Sequence, residues 1–320
     1  MKNFLSYLTA LVAVCLAGAA AAQTYPSKAV RLIVPAAPGG SLDIVGRLLG
    51  QSLGQRLEHP VVVENRPGAD TMIGTAAVAQ AEPDGHTLLL NSSSPHVMQA
   101  YGVKLPFDSF KDLAPITSVA SSMLVLIASK KLAVTTFQEM LSVGRNRELV
   151  YGHVGRSTPQ FFGGQLSAQQ AGLKFLFLTY RGSGPGATAV MSGDTDLFLV
   201  TPGPGAKLAE TGRVVLLAVT GLSRDPILPN IPTIAESGIP GYSVGIPLLL
   251  FTTGGTPAGV MARLNKDLVA AMSGKAFADR MAVVGYSVST SSSAEADAQV
   301  KTEYENYRSL IQARGLKLED

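Results

Sequence analysis

Four short segments carry the residue types that hold small anions. The strongest is Pro35 to Asp43, which contains Ala37, Gly39, Gly40, Ser41 and Leu42. An apolar run ends at Pro35, two glycines allow a tight turn, and a helical pattern begins. The first amides of a helix lack intrahelical acceptors and favour an anion, aided by the helix dipole. Asp43 falls in the first turn, where it suits the dipole but repels an anion. The same segment also reads as an ordinary glycine turn with Ser41 as the cap. The second segment is Gly155-Arg156-Ser157-Thr158, followed by Pro159. Ser157 or Thr158 can cap a helix there, and Arg156 offers a two-pronged contact to a carboxylate or a merely solvated side chain. Tyr180-Arg181-Gly182-Ser183-Gly184 and Ser92-Ser93-Ser94 are the third and fourth. Each follows a strand-like run, and in open α/β sheets ligands bind beyond the carboxyl ends of strands.

The elements that position these segments follow from hydrophobic periodicity. Val30 to Val34 reads as a buried strand, and Val45, Leu48, Leu49, Leu53 and Leu57 recur at helical spacing. Strands at 60–63 and 87–90 with an Ala-rich helix at 71–81 complete a β-α-β-α-β series, which implies a parallel sheet with right-handed crossovers. After the apolar stretch Leu113–Ala128 the alternation restarts. Helices are expected at 135–147, 157–171 and 187–191, with strands at 149–154, 175–180, 196–200 and 214–220. Residues 222–241 are rich in Pro and Gly. Thr256-Pro257 reads as an N-cap with Pro at the first helical position, opening a helix to about Met272. A last helix over 294–313 is stopped by Gly315. The expected fold class is α/β, in two units. Each unit is a mostly parallel sheet flanked by helices, and the C-terminal helices pack back on the first. Residues 23–122 plus 245–320 form the first domain and 123–244 the second, with crossings near 113–128 and 244–251.

Composition narrows the function. Of 320 residues, 46% are apolar and 15% charged, enough for packed cores. Lys plus Arg number 26 against 23 Asp plus Glu, without a basic stripe, so no nucleic-acid partner is expected. One Cys and four scattered His exclude a disulfide scaffold and a Cys-based zinc site, and no metal or cofactor is expected. Lys2, the apolar run from Leu5 to Leu16 and Ala20-Ala21-Ala22 form a secretory signal pattern, so residues 1–22 are expected to be cleaved. Cleavage removes Cys15, which suits an oxidising compartment. No later run reaches membrane-spanning length, so a soluble mature chain is expected. Segment Gly39-Gly40-Ser41 closes with neither a P-loop Lys nor a dinucleotide glycine pattern. His59, His86, His96 and His153 lack zincin spacing, and His153 near Ser157 is more simply a packed residue than a base. Catalysis is therefore not expected.

The residues also carry a family resemblance. Tyr25-Pro26-Ser27-Lys28, Ile33-Val34-Pro35, Ala37-Pro38-Gly39-Gly40 and Asp43-Ile44-Val45 begin it. Val61-Val62-Val63-Glu64-Asn65-Arg66-Pro67-Gly68-Ala69, Ile73-Gly74, Pro83-Asp84-Gly85 and Leu105-Pro106-Phe107-Asp108 continue it. Tyr180-Arg181-Gly182, Leu217-Ala218-Val219-Thr220, Ile231-Pro232-Thr233, Pro240-Gly241-Tyr242 and Gly255-Thr256-Pro257 complete it. In this order the chain resembles the tripartite tricarboxylate transporter substrate-binding proteins, the Bug or TctC-like periplasmic receptors.

The resemblance implies a two-lobed receptor, like a type II periplasmic binding protein with the ligand cleft between its lobes, that closes on a small carboxylate and passes it to inner-membrane permease subunits. A monomer is expected. It also implies that loop amides, hydroxyls and ordered water hold the carboxylate. Departures from the family pattern fall at Leu42, where a hydroxyl is usual, and at Thr71-Met72, Arg156, Val200-Thr201 and Pro247-Leu248-Leu249, and the resemblance places Thr201 among the ligand-binding residues. Loss of an acid at Val200 with gain of Arg156 favours a mono- or dicarboxylate without an amine over an amino acid. A sensor that presents a bound acid to a signalling partner, and a periplasmic enzyme on the same fold, are the alternative roles.

Overall fold

The structure, a computed structural model, describes residues 25–314. The expected leader at 1–22, with Cys15, and the helix stop at Gly315 lie outside the described residues.

The first lobe opens with β1 (Val30–Val34), α1 (Ser41–Leu57), β2 (Val61–Asn65), α2 (Met72–Ala79), β3 (Thr87–Asn91) and α3 (Ser94–Ala100). Both β2 and β3 pair with β1 in parallel, as the alternating pattern requires. Val45, Leu49 and Leu53 of α1 are fully buried on this sheet, each contributing about 1.5–3 kcal/mol through burial. The backbone of α1 approaches closely because its inner face also carries glycines. A Cβ at Gly46 would stand 2.6 Å from Val34 Cγ2, and one at Gly50 2.8 Å from Val63 Cγ2.

The apolar stretch read as one crossing is two strands in different sheets: β4 (Leu113–Met123) and β5 (Val125–Ser129), separated by Leu124. The second lobe continues with α4 (Phe137–Asn146), β6 (Leu149–His153), α5 (Pro159–Ala171), β7 (Phe175–Thr179), α6 (Ser183–Ser192), β8 (Leu197–Val200), α7 (Pro202–Glu210) and β9 (Val214–Val219). Its sheet order is β7-β6-β8-β5-β9. The chain then returns through β10 (Gly245–Thr253), α8 (Ala258–Met272), α9 (Lys275–Val283), β11 (Ser287–Val288) and α10 (Ser293–Arg314). These rejoin the first lobe, whose sheet order is β11-β4-β10-β3-β1-β2.

Neither sheet is purely parallel. Strand β10 inserts antiparallel between β3 and β4, and β5 inserts antiparallel between β8 and β9. The inserted strands are the ones that follow each crossing, so reversal of direction accompanies the change of lobe.

Several local expectations are corrected. Helix α8 starts one residue late, because Pro257 takes the cap position and Thr256 Oγ1 donates to the Thr253 carbonyl instead of capping. Helix α5 starts at Pro159, and Thr158 Oγ1 donates to Gly155 O rather than accepting from the helix. The triple serine is no open loop, since Ser94 begins α3. Asp196 precedes β8 and holds its edge, accepting from the Val150 amide at 2.9 Å and from Arg147.

Candidate functional site

The carboxyl ends of β1, β2 and β3 share one edge of the first sheet, and those of β6, β7 and β8 one edge of the second. These edges face each other. The Arg156 amide, after β6, donates to Asp70 Oδ2, after β2, at 2.8 Å. Tyr101 after α3 stacks on Phe162 of α5 at 5.7 Å, and Phe162 lies 4.2 Å from the Tyr307 ring of α10. The loops after β2 and β6 therefore meet between the lobes.

On the first lobe, Gly40 caps α1 without any side-chain hydrogen bond, so the first-turn amides, which follow the carboxyl end of β1, have no side-chain cap. The half-buried Ser41 hydroxyl has no partner among the described residues. Asp43 is committed elsewhere. Its carboxylate accepts from the Gly39 amide at 2.9 Å, from Asn65 at 2.9 Å and from Arg47 at 3.0 Å. Burial raises the pKa of Asp43, but the bonds from Arg47, Gly39 and Asn65 outweigh it and hold the group below the usual carboxylate range. Asp43 thus shapes the loop containing Ala37 and Gly39. Ser92 Oγ pairs with Ser94 Oγ at 2.7 Å, and Ser93 donates to Glu303 of α10. Burial raises the pKa of Glu303 against the hydrogen bonds from Ser93 and Gln299.

On the second lobe most loop donors are also taken. The Gly155 amide donates to His153 Nδ1 at 3.1 Å, and the Thr158 amide to Gly155 O at 3.2 Å. His153 is buried among Phe161 and Phe177, and burial depresses its pKa to about 4, so the ring is neutral. The guanidinium of Arg156, in contrast, is half-buried and makes no hydrogen bond or ion pair among the described residues. Tyr180 turns back to Thr195, its hydroxyl 2.5 Å from Oγ1, while Arg181 is exposed and Gly182 caps α6. Thr201, the cap residue of α7, is buried, and its hydroxyl has no partner among the described residues.

Sequence reasoning missed Asp70, Asn91 and Glu303. Buried Asn91 ends β3, and its amide reaches Thr71 Oγ1 at 3.1 Å while its oxygen accepts from the Ser92 amide. A polar residue closing an apolar strand was the available signal. The departing residues mostly turn inward: Met72 and Val200 are buried in apolar clusters, and Leu42 packs against the first-lobe core. Gly50-Gln51-Ser52-Leu53-Gly54 forms a Gly-x-Ser-x-Gly string. It lies inside α1, where no strand-to-helix turn can project Ser52 as a nucleophile. A cavity of about 430 Å³ opens beside the crossings, lined by Ser121, Phe162, Pro247, Glu303, Asn306 and Tyr307, and includes none of the predicted residues.

Two α/β lobes joined by paired crossings meet at their strand-end loops, and the family match gives the class as a solute-binding receptor. Residues 45–316 match the tripartite tricarboxylate transporter family receptor (TctC) model, and the chain belongs to that family. A UPF0065 protein of Bordetella bronchiseptica is 32% identical over 300 residues, covering 93% of this chain and 89% of the relative. The structure of periplasmic binding protein BugD superposes with a TM-score of 0.85 at 30% identity, covering 92% of this chain and 99% of that one. Rpa4515 of R. palustris, solved with adipate, superposes with a TM-score of 0.86 at 26% identity, covering 92% of this chain and 99% of that one. The family places the chain among periplasmic solute-binding receptors.

Proposed function

We propose that this receptor captures a small carboxylate without an amine, by hinge closure, for the permease subunits of a tripartite tricarboxylate-type transporter. It acts as an exported monomer, by binding and not by catalysis. One observation carries the ligand class. Among the described residues, the groups without protein partners at the two strand edges include the α1 first-turn amides with Ser41, the Arg156 and Arg181 guanidinium groups and the Thr201 hydroxyl. These are donors suited to carboxylate oxygens, and Arg156 can hold both oxygens of one carboxylate. Ala37, Gly39, Gly40, Ser92, Ser93, Gly155, Ser157, Thr158, Tyr180, Arg181 and Gly182 complete the lining, with Asp43 shaping the first loop. The adipate bound to Rpa4515 supports the class.

Thermal shift of the chain lacking residues 1–22, against a panel of carboxylates, amino acids and aromatic acids, tests the reading. A ligand at 100 times its Kd adds about 2.7 kcal/mol, a clear rise in midpoint. Succinate-like or monocarboxylic acids are expected to shift it, and Arg156→Gln to reduce the shift. Tighter binding of aspartate or glutamate than of succinate or malate would overturn the ligand class.

A further inference from the structure

The loop offered by the second lobe already holds an anion that belongs to the chain itself. Asp70, in the β2–α2 connection of the first lobe, takes the Arg156 amide on Oδ2 at 2.8 Å, and Ser157 Oγ approaches its carbonyl at 3.4 Å. Its other oxygen lies against Gly155. A Cβ built there would stand 2.8 Å from Asp70 Oδ1 and 3.0 Å from Cγ, so only a residue without a side chain admits the carboxylate.

The pose is held against the backbone's own preference. Ala69, Asp70 and Thr71 are three successive non-glycine residues in the left-handed region, with φ of 45°, 51° and 76°. Such a run persists only where the surroundings over-determine it. Asn91 does so from β3 by its bond to Thr71 Oγ1, and the Thr71 carbonyl accepts from Thr75 Oγ1 at 2.9 Å. At the start of α2, a Cβ on Gly74 would stand 2.8 Å from Pro35 Cβ, which ties this connection to the end of β1. The Gly155 and Thr158 amides bond to His153 and to Gly155 O, so the Arg156 amide is the donor that Asp70 removes from the cleft.

We infer that Asp70 is a tethered pseudo-ligand that occupies the carboxylate position on the Gly155–Thr158 loop and latches the lobes together, whichever solute the cleft takes. An external carboxylate meets the Arg156 guanidinium freely but must displace Asp70 to reach the Arg156 amide. The latch also biases the ligand-free receptor toward closure, because its two halves belong to different lobes.

The test uses the whole mature chain, ¹⁵N-labelled, with sodium acetate titrated against sodium chloride at equal ionic strength. Asp70→Gly suits a positive φ, and Asp70→Asn keeps the side-chain shape while removing the charge. In wild type the Arg156 amide resonance is expected to resist acetate. In Asp70→Gly it moves saturably at a midpoint lower by about tenfold or more, as loss of a charged competitor dictates, with Asp70→Asn between. Small-angle scattering of ligand-free protein is expected to give a larger radius of gyration for both variants. Equal acetate responses in wild type and variants, or unchanged radii, would overturn the latch. The acetate readout rests on the carboxylate reading of the loop, whereas the scattering readout is independent of the solute, so a negative carboxylate panel leaves the radii decisive.

Discussion

At the residue scale, what distinguishes the cleft is which polar groups are spent. Ser93, Asp43 and Tyr180 have the same chemistry as free ligand contacts, yet their bonds go to Glu303, Gly39 with Asn65, and Thr195. Of the three buried imidazoles, His96 and His153 are shifted by burial with a measurable consequence. Burial pushes His96 and His153 down to about 4, while the unfolded chain returns them to about 6.5. Between those values the unfolded state holds the extra protons, so stability rises with pH across the window and falls on acidification. Above about pH 6.5 neither state holds them and the contribution is constant. The expected slope approaches 1.4 kcal/mol per pH unit for each histidine inside the window. Urea midpoints at pH 7 and pH 5 check it, with His153→Gln flattening the dependence. A slope equal to wild type in that variant would show that His153 is already protonated when folded.

At the element scale, periodicity made the alternating strands and helices readable, because burial on a sheet imposes it. Three helices escaped the reading for a physical reason. Helix α7 begins Pro202-Gly203-Pro204-Gly205, a poor helical sequence. Its glycines are demanded by packing: a Cβ on Gly203 would stand 2.5 Å from the Val283 carbonyl, and one on Gly205 2.5 Å from Val125 Cγ1. Tertiary contact overrides propensity there, and short α3 and α9 likewise showed no long apolar stripe. The site divided in the same way. Strand-end loops were visible in order along the chain, but the bonds that decide which loop atoms remain free join residues 86 and 210 positions apart. The glycines of α1 give a sign test of packing against propensity. Gly50→Ala gains up to about 1 kcal/mol of helix propensity, but the methyl meets Val63 at 2.8 Å. Overpacking costs about 1–3 kcal/mol, so a net loss of stability is expected in urea unfolding. Gly259→Ala in α8, where a Cβ meets nothing within 4 Å, is expected to gain up to about 1 kcal/mol. A stabilised Gly50→Ala would mean that α1 can lift from the sheet at little cost.

At the scale of the whole molecule, the two lobes meet through crossings that Thr220 fastens into one unit. Its amide donates to the Leu124 carbonyl at 2.8 Å and its carbonyl accepts from the Val244 amide at 2.9 Å. Its hydroxyl accepts from the Leu124 amide at 2.8 Å and donates to the Val244 carbonyl at 2.5 Å. One fully buried side chain thus links the outgoing crossing at 124 to the returning one at 244. Rotation of the lobes about two independent tethers would permit shear, whereas tethers bonded side by side favour hinge motion about a single line. Thr220→Val keeps the shape and removes the hydroxyl, leaving the Leu124 amide buried without its acceptor at a cost of about 1–3 kcal/mol. Hydrogen exchange at Leu124 is expected to accelerate about tenfold or more, in proportion to that cost, while Thr220→Ser, which retains the hydroxyl, keeps most of the protection. The effect belongs at the crossings, so amides in β1 and β6, within the separate sheets, should slow or quicken only with global stability. Unchanged exchange at Leu124 in Thr220→Val would mean that the crossings move as separate strands and that closure is set by the cleft contacts alone.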